Sequence, residues 1–246
     1  MHSQGPYWGD YNNDGWVDAA TWDGVYQNNG GTFSLVADSP QVIDAGQAAY
    51  WGDFNNDGWL DIHYNNHGSR PTFLINRKGS GQFDSVTISM PPTRSDGYVG
   101  NASMGSALGD FNSDGWLDVY IGGYEHWPDP SYPDRLVLSR PDPGKPGGRN
   151  FELTWEQTSP LLRARGVTAA DFNEDGHTDV YASNYRLQGN LLWVNDGSGS
   201  DFPFTFGSET YNALGGHGHS IGSAFGDLDS DGHLDIFAGN FSHPGQ

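Results

Sequence analysis

Five stretches of the chain carry carboxylates and amides at one fixed spacing: 10–18, 53–61, 110–118, 171–179 and 227–235, each reading D-x-[ND]-x-D-G-x-x-D. Positions 1, 5 and 9 are Asp throughout: Asp10, Asp14 and Asp18, then Asp53, Asp57 and Asp61, Asp110, Asp114 and Asp118, Asp171, Asp175 and Asp179, and Asp227, Asp231 and Asp235. Position 3 is Asn12, Asn55, Asn112, Asn173 or Asp229. Oxygen donors this dense suit a hard divalent cation, and calcium takes six to eight oxygens at flexible geometry. Zinc would ask for His or Cys, and magnesium for a stricter octahedron that retains its waters. The competing chemistry is an Asx-turn hairpin without metal, because Asp, Asn and Gly are ordinary turn residues. Three carboxylates in one turn repel each other unless a cation lies between them, so the expectation is one Ca2+ per loop, up to five in all.

Loops of this kind need elements to hold them, and the spacing says which. First Asp to first Asp the intervals are 43, 57, 61 and 56 residues. These suit propeller blades better than nonapeptide β-helices. With 36 Gly, 14% aromatic and only 35% hydrophobic residues, the composition favours short strands and tight turns over long helices. A small or aromatic apolar run precedes each loop and an alternating run follows it, as in Trp59 to Tyr64, so the loop joins two antiparallel strands. A third run (Gly24 to Gln27, Thr72 to Asn76, Arg135 to Ser139, Leu191 to Asn195) ends in turn residues, and a fourth opens on Phe33, Phe83, Phe151 or Phe202. The predicted fold is all-β, a β-propeller of four-stranded antiparallel blades at about 7–38, 47–90, 104–157, 165–208 and 220–246 in one domain, 1–246. The fifth blade lacks its third and fourth strands, so the chain is expected to be a fragment of a larger propeller, with further blades or domains beyond it.

The loops, the [AFWL]-G-D-[FYL] strand ends before most of them, and the N-[ND]-G-x-G-x-F turns resemble FG-GAP/VCBS repeats, the blades of integrin α-chain propellers and of many bacterial secreted proteins. Closed members of that family usually have seven blades. Gly216-His217-Gly218-His219-Ser220 before Asp227, and Asn240-Phe241-Ser242-His243-Pro244, are similar to the cartilage acidic protein (ASPIC/UnbV) group. Resemblance to EF-hand-like loops implies how each cation would be held: side-chain oxygens at positions 1, 3 and 5, the backbone carbonyl of position 7 (Trp16, Trp59, Trp116, His177, His233), and both carboxylate oxygens at position 9. The tryptophan side chains themselves read as packing residues. The family implies nothing firm about activity, since its fold carries many.

The net charge is -20, and sixteen of the acidic side chains fall at ligand positions of the loops, so five divalent cations would halve it. With 11 Lys+Arg and no basic run, nucleic acid is disfavoured as a partner. No Cys is available for a disulfide, a thiolate zinc site or a nucleophile, and no apolar run reaches membrane-spanning length. The N-terminus has neither a charged n-region nor an apolar h-region, so it is no signal peptide, and a leader is expected upstream. Weak calcium sites fill at extracellular calcium, which points to an extracellular, cell-surface or periplasmic setting.

If calcium occupies the face of the strand 1–2 turns, a ligand is expected on the other. There the strand 2–3 and 4–1 connections gather His67, Arg70, the stretch Tyr124 to Tyr132, Asn184, Tyr185 and Arg186, Phe241 and His243, Arg94 and Tyr98, Arg163 and Arg165, and Tyr211, His217 and His219. Aromatic rings beside Arg and His suit a carbohydrate or a protein loop, which makes a non-catalytic binding or adhesion module the first reading. The alternative is a polysaccharide lyase or hydrolase with His217 or His219 as base, Tyr211 as acid and Arg163 or Arg165 on a substrate carboxylate. That requires base and acid to meet at one substrate position. A collection of solvated loop residues would look the same in sequence.

Overall fold

The computed structural model describes residues 6–21, 23–37, 46–66, 72–88, 105–124, 132–213, 215 and 218–241. Its strands form four antiparallel sheets of four and one of two, each in sequential order. The first sheet comprises β1 (Tyr7–Gly9), β2 (Asp18–Thr21), β3 (Gly24–Asn28) and β4 (Phe33–Leu35). The second comprises β5 (Gly46–Gly52), β6 (Asp61–Asn66), β7 (Thr72–Asn76) and β8 (Phe83–Thr87). The third runs β9 (Ser106–Gly109), β10 (Asp118–Ile121), β11 (Arg135–Pro141) and β12 (Arg149–Glu156). The fourth runs β13 (Ala164–Ala170), β14 (Asp179–Asn184), β15 (Leu191–Asn195) and β16 (Phe204–Phe206), and β17 (Ser220–Gly226) pairs β18 (Asp235–Asn240) alone. These are β-propeller blades, and the all-β expectation holds. Among the described residues the one helical element is a 3-10 turn, Pro146–Gly148, and no helix is long and apolar enough to cross a membrane.

Register explains the loops. Strands one and two of each sheet close on the pairs Gly9 with Asp18, Gly52 with Asp61, Gly109 with Asp118, Ala170 with Asp179 and Gly226 with Asp235. Each acidic loop is therefore a hairpin connection pinned between the residue before position 1 and the Asp at position 9. Position 6 has φ of +84° to +92°, a region that only Gly enters without strain.

The chain divides into two compact units, Met1–Ala102 with Ser139–Glu152, and Ser103–Leu138 with Leu153–Gln246. The first is cored by Tyr11, Ala20, Val25, Ala49, Ile62, Tyr64 and Leu74. Beside them Phe73 stacks on Phe151 at 3.6 Å, and both meet the edge of Phe54. The second is cored by Phe111, Tyr120, Leu136, Leu138, Val180 and Phe204. The alternation read from 59–64 does not produce a strand with one wet face: Asp61, Ile62, His63 and Tyr64 are all buried. The second strands of the four-stranded sheets are covered on both faces, so polar residues in them meet protein instead of water. His63 shows the consequence, since burial pushes its pKa down to about 4 and its ring packs on Phe73 at 4.7 Å.

Candidate functional site

All five loops share one hydrogen-bond plan. The position 1 carboxylate accepts the N–H of positions 5 and 6, for instance Asp10 from Asp14 (3.1 Å) and Gly15 (2.9 Å), and likewise Asp53, Asp110, Asp171 and Asp227. The position 5 carboxylate accepts the N–H of position 7: Trp16, Trp59, Trp116, His177 and His233 each donate at 2.8–3.1 Å. Asn12, Asn55, Asn112 and Asn173 donate side-chain N–H to the Asp two residues on, while their Oδ1 accepts that Asp's backbone N–H, as Oδ1 of Asp229 does from Asp231 in the last loop. In that last loop carboxylate oxygens of Asp227, Asp229 and Asp235 lie within 4.8 Å of one another. A calcium–oxygen distance of about 2.4 Å puts opposite ligands about that far apart, so the donor set fits the cation in type and in span. Asp10, Asn12, Asp14 and Asp18 would hold it in the first loop, with the corresponding residues in the others. When bound, it would supply the positive charge these turns otherwise lack.

Position 9 does more than point at a loop centre. Asp18, Asp61, Asp118 and Asp179 are fully buried, and Oδ2 of each accepts the N–H of position 2: Tyr11, Phe54, Phe111 or Phe172. Oδ1 of Asp18, Asp61 and Asp179 accepts the N–H of Asn28, Asn76 and Asn195, the last residue of strand three, at 2.7–2.8 Å. Burial, outweighing these bonds, raises the Asp61 carboxyl to about 7 and the Asp179 carboxyl to about 6.

The sequence places these asparagines at the junction of a third run and its turn and assigns their side chains no partner. Each instead spans three partners: Nδ2 donates to the position 8 carbonyl of its own loop (Val17, Leu60, Thr178), and Oδ1 accepts a turn glycine N–H (Gly31, Gly79, Gly197). Asn76 and Asn195 also donate across to the preceding blade, to the carbonyls of Tyr11 and Phe111, both at 2.8 Å. The available signal was an Asn closing the third strand in three of four sheets, with Ser139 at the equivalent register of β11, two residues before its end. Position 4 was missed as well: Asn13, Asn56, Ser113, Glu174 and Ser230 all have φ of +53° to +63°. Three of them reach the next loop, Asn13 to the Gly58 carbonyl, Ser113 to His177 and Glu174 to His233.

The position 7 side chains partly correct the packing expectation. Trp59 lies against Gly79, where an added Cβ would sit 2.4 Å from the ring, and His177 against Gly197 in the same way. Trp16, however, is 54% exposed, with Gly30 below its outer edge.

At the opposite strand ends the second unit builds one compact cluster. The Arg165 guanidinium lies 4.3 Å from the Tyr124 ring and 4.5 Å from the Tyr185 ring, and its Nη1 donates to the Tyr124 hydroxyl at 2.8 Å. His219 packs edge-on against Tyr185 at 4.6 Å, and Arg186 lies over the same ring at 5.8 Å. The backbone fixes this arrangement: Tyr185 N–H bonds the Arg163 carbonyl, and Phe241 N–H the His219 carbonyl. Leu187 N–H donates to the Gly218 carbonyl, which joins the Arg163–Tyr185 segment to the backbone beside His219. Tyr211 is not part of this cluster, because its ring meets Phe172 at 4.9 Å, beside an acidic loop. Arg165 stands near the start of β13 and Phe172 in the acidic loop beyond its far end, so five residues of strand, about 17 Å of rise, and the loop entry separate them. The acid and base expected to act together are therefore placed apart. His67, Arg70, Arg94, Tyr98, residues 125–131, His217 and His243 lie outside the described residues.

Comparison with known proteins adds family and fold. The family described as FG-GAP-like repeat matches residues 53–121 and 171–238, more than half of the chain. Cartilage acidic protein 1 of Xenopus tropicalis is 32% identical over 181 residues, covering 72% of this chain and 26% of that protein. The Mus musculus protein of the same name is 29% identical over 179 residues, with the same coverage. The chain spans about a quarter of the length of these curated relatives. Among solved structures, an Agrocybe aegerita lectin described as recognising non-reducing terminal N-acetylglucosamine aligns with a TM-score of 0.54 at 19% identity, over 94% of this chain and 59% of that one. At that identity the likeness is one of fold.

Proposed function

The chain belongs to the FG-GAP-like repeat family, and from that premise we propose that it is an extracellular, calcium-clamped binding module that recognises carbohydrate through the Tyr124, Arg165, Tyr185 and His219 cluster. The observation that carries the reading is the guanidinium of Arg165 held between two tyrosine rings. Stacking fixes a planar, five-donor group in place, so less side-chain freedom is lost when it meets a hydroxyl-rich or carboxylate-bearing sugar. Three arginines, Arg163, Arg165 and Arg186, gather here out of 11 Lys+Arg in a chain of charge -20, which favours an acidic saccharide over a neutral one. The lectin of similar fold is consistent with a sugar as the ligand. Calcium in the acidic loops is structural in this reading, and sites with dissociation constants near 10⁻⁴ M fill at the roughly millimolar calcium found outside cells.

A glycan array followed by calorimetric titration tests it. Arg165→Ala and Tyr185→Ala are each expected to weaken the best glycan at least tenfold, while Arg77→Ala, an exposed ion-pair residue of the other unit, leaves it unchanged. Retention of full affinity in both cluster variants would remove the assignment. Catalysis by His219 with Tyr211 is not favoured by their placement, and turnover of an acidic polysaccharide that depends on both residues would reverse that judgement.

A further inference from the structure

Two asparagines connect the acidic loops of consecutive blades, one in each compact unit, and both do so in the same way. The buried Asn76 donates its N–H at 2.7 Å to Oδ1 of Asp61, position 9 of the loop in its own blade. Its Nδ2 donates at 2.8 Å to the carbonyl of Tyr11, which lies between Asp10 and Asn12 of the loop before. In the second unit the buried Asn195 reaches Asp179 Oδ1 and the Phe111 carbonyl, each at 2.8 Å, and Phe111 lies between Asp110 and Asn112. Neither asparagine stands at a ligand position, so each touches two donor sets and belongs to neither.

Two further contacts run alongside each bridge. Position 4 of the earlier loop reaches the later one, Asn13 to the Gly58 carbonyl at 3.0 Å and Ser113 to His177 at 3.4 Å. Position 3 packs on the later blade's turn between strands three and four: a Cβ at Gly79 would lie 3.0 Å from Asn12 Cα, and one at Gly199 3.1 Å from the Asn112 carbonyl oxygen. Positions 2, 3 and 4 of loops 10–18 and 110–118 are thus all held by the blade that follows.

We propose that Asn76 and Asn195 are positioning residues that make calcium fill the loops in pairs, 10–18 with 53–61 and 110–118 with 171–179, each ion strengthening the binding of its neighbour. The inference rests on calcium occupying the loops and goes beyond it, since a structural ion in each loop needs no link between loops. An ion in loop 53–61 fixes Asp61, Asp61 fixes the Asn76 N–H, and the Asn76 side chain fixes the Tyr11 carbonyl between two ligands of loop 10–18. Order imposed by the first ion is not imposed again when the second binds, and linkage makes the effect reciprocal. Repulsion between neighbouring ions acts against it, but solvent and salt screen charges at exposed turns, whereas the asparagine bonds are buried. Coupling of this kind steepens filling about a given midpoint.

Hydrogen-exchange mass spectrometry of the whole chain across a calcium titration reads each loop separately, through protection of the N–H groups at positions 5 to 7. Asp53→Asn with Asp57→Asn empties loop 53–61 and leaves one of its three ligand-position carboxylates, so its formal charge matches that of the parent loop with Ca2+ bound. In that variant the calcium midpoint of loop 10–18 is expected to rise about fivefold, while loops 110–118 and 171–179 keep theirs. Asp110→Asn with Asp114→Asn should raise the midpoint of loop 171–179 and leave that of loop 10–18 in place. In an Asn76→Ala background the Asp53 and Asp57 changes should shift loop 10–18 by under about twofold. Unshifted midpoints, an equal shift of every loop, or a full shift in the Asn76→Ala background would each overturn the inference while leaving calcium in the loops. A parent chain whose exchange is indifferent to calcium would overturn it together with the calcium reading. The loop comparisons use the parent Asn76 and do not depend on how Asn76→Ala folds.

Discussion

Asn76 joins four groups with one side chain and its own N–H, and all of them lie in the first unit. Asn76→Ala keeps the backbone bond to Asp61 but leaves the Tyr11 and Leu60 carbonyls without their donor. It should cost about 2–3 kcal/mol, read as a lower urea midpoint at unchanged slope. Asn28→Ala, whose NH2 donates only to the Val17 carbonyl of its own blade and makes no cross-blade bond, should cost less, about 1 kcal/mol, and equal losses would deny the cross-blade bond its role. A second residue-scale expectation concerns Asp134, which is buried and accepts from Tyr120 and Gly123, each at 2.7 Å. Burial raises its carboxyl to about 6 from an ordinary value of 3.8. The stability it contributes is therefore fully present below about pH 4 and is lost as pH rises through 6. Asp134→Asn removes that slope, so from pH 4 to pH 7 the variant should gain roughly 2–3 kcal/mol relative to the parent in urea melts, and parallel curves would contradict it.

The strands and the acidic loops are legible in sequence because their signal is local: a nine-residue spacing, a Gly at the turn, an apolar run on either side. What joins loop to loop is less so, because its partners are far apart in the chain. Asn195 bonds Phe111 across 84 residues, and nothing near Asn195 announces it. The ring of Trp59 against Gly79 belongs to the same class, since it couples position 7 of a loop to the turn between strands three and four. At that element Gly is required twice, by φ of +71° and by the ring 2.4 Å from where a Cβ would go. Gly79→Ala should therefore destabilise by about 1–3 kcal/mol, and Trp59→Ala in the same chain should recover part of it by removing the clash. A thermal melt of the four proteins of that cycle checks this, and strict additivity would mean that the ring and the turn are not coupled. The cation–aromatic cluster was half legible: Arg165 and His219 were named from their place in the connections, but Tyr211 was wrongly grouped with them. Sequence order says which connection a residue sits in, whereas its direction depends on the strand it packs against.

At the scale of the whole molecule the question is how a chain of charge -20 stays folded with sixteen acidic groups at the ligand positions of five turns. Backbone N–H donors answer part of it, and a cation in each loop would answer the rest. With a dissociation constant near 10⁻⁴ M and millimolar calcium, one site contributes about 1.4 kcal/mol, and five independent sites roughly 7. That is comparable to the entire stability of many domains. Two loops belong to the first unit and three to the second, so any separation of their unfolding should leave the second unit the more calcium-dependent. Chelation with EDTA should lower the melting midpoint by 10 °C or more on this reasoning, and calcium should restore it with a midpoint near 10⁻⁴ M. Sodium chloride at half-molar concentration separates binding from screening. General repulsion among the carboxylates is relieved by salt within a Debye length of about 4 Å, but a coordinated site is not replaced by it. Recovery by calcium and not by salt is the expected result. A midpoint indifferent to EDTA would mean that the N–H donors alone hold the turns, and that the loops are Asx-type hairpins with no resident cation.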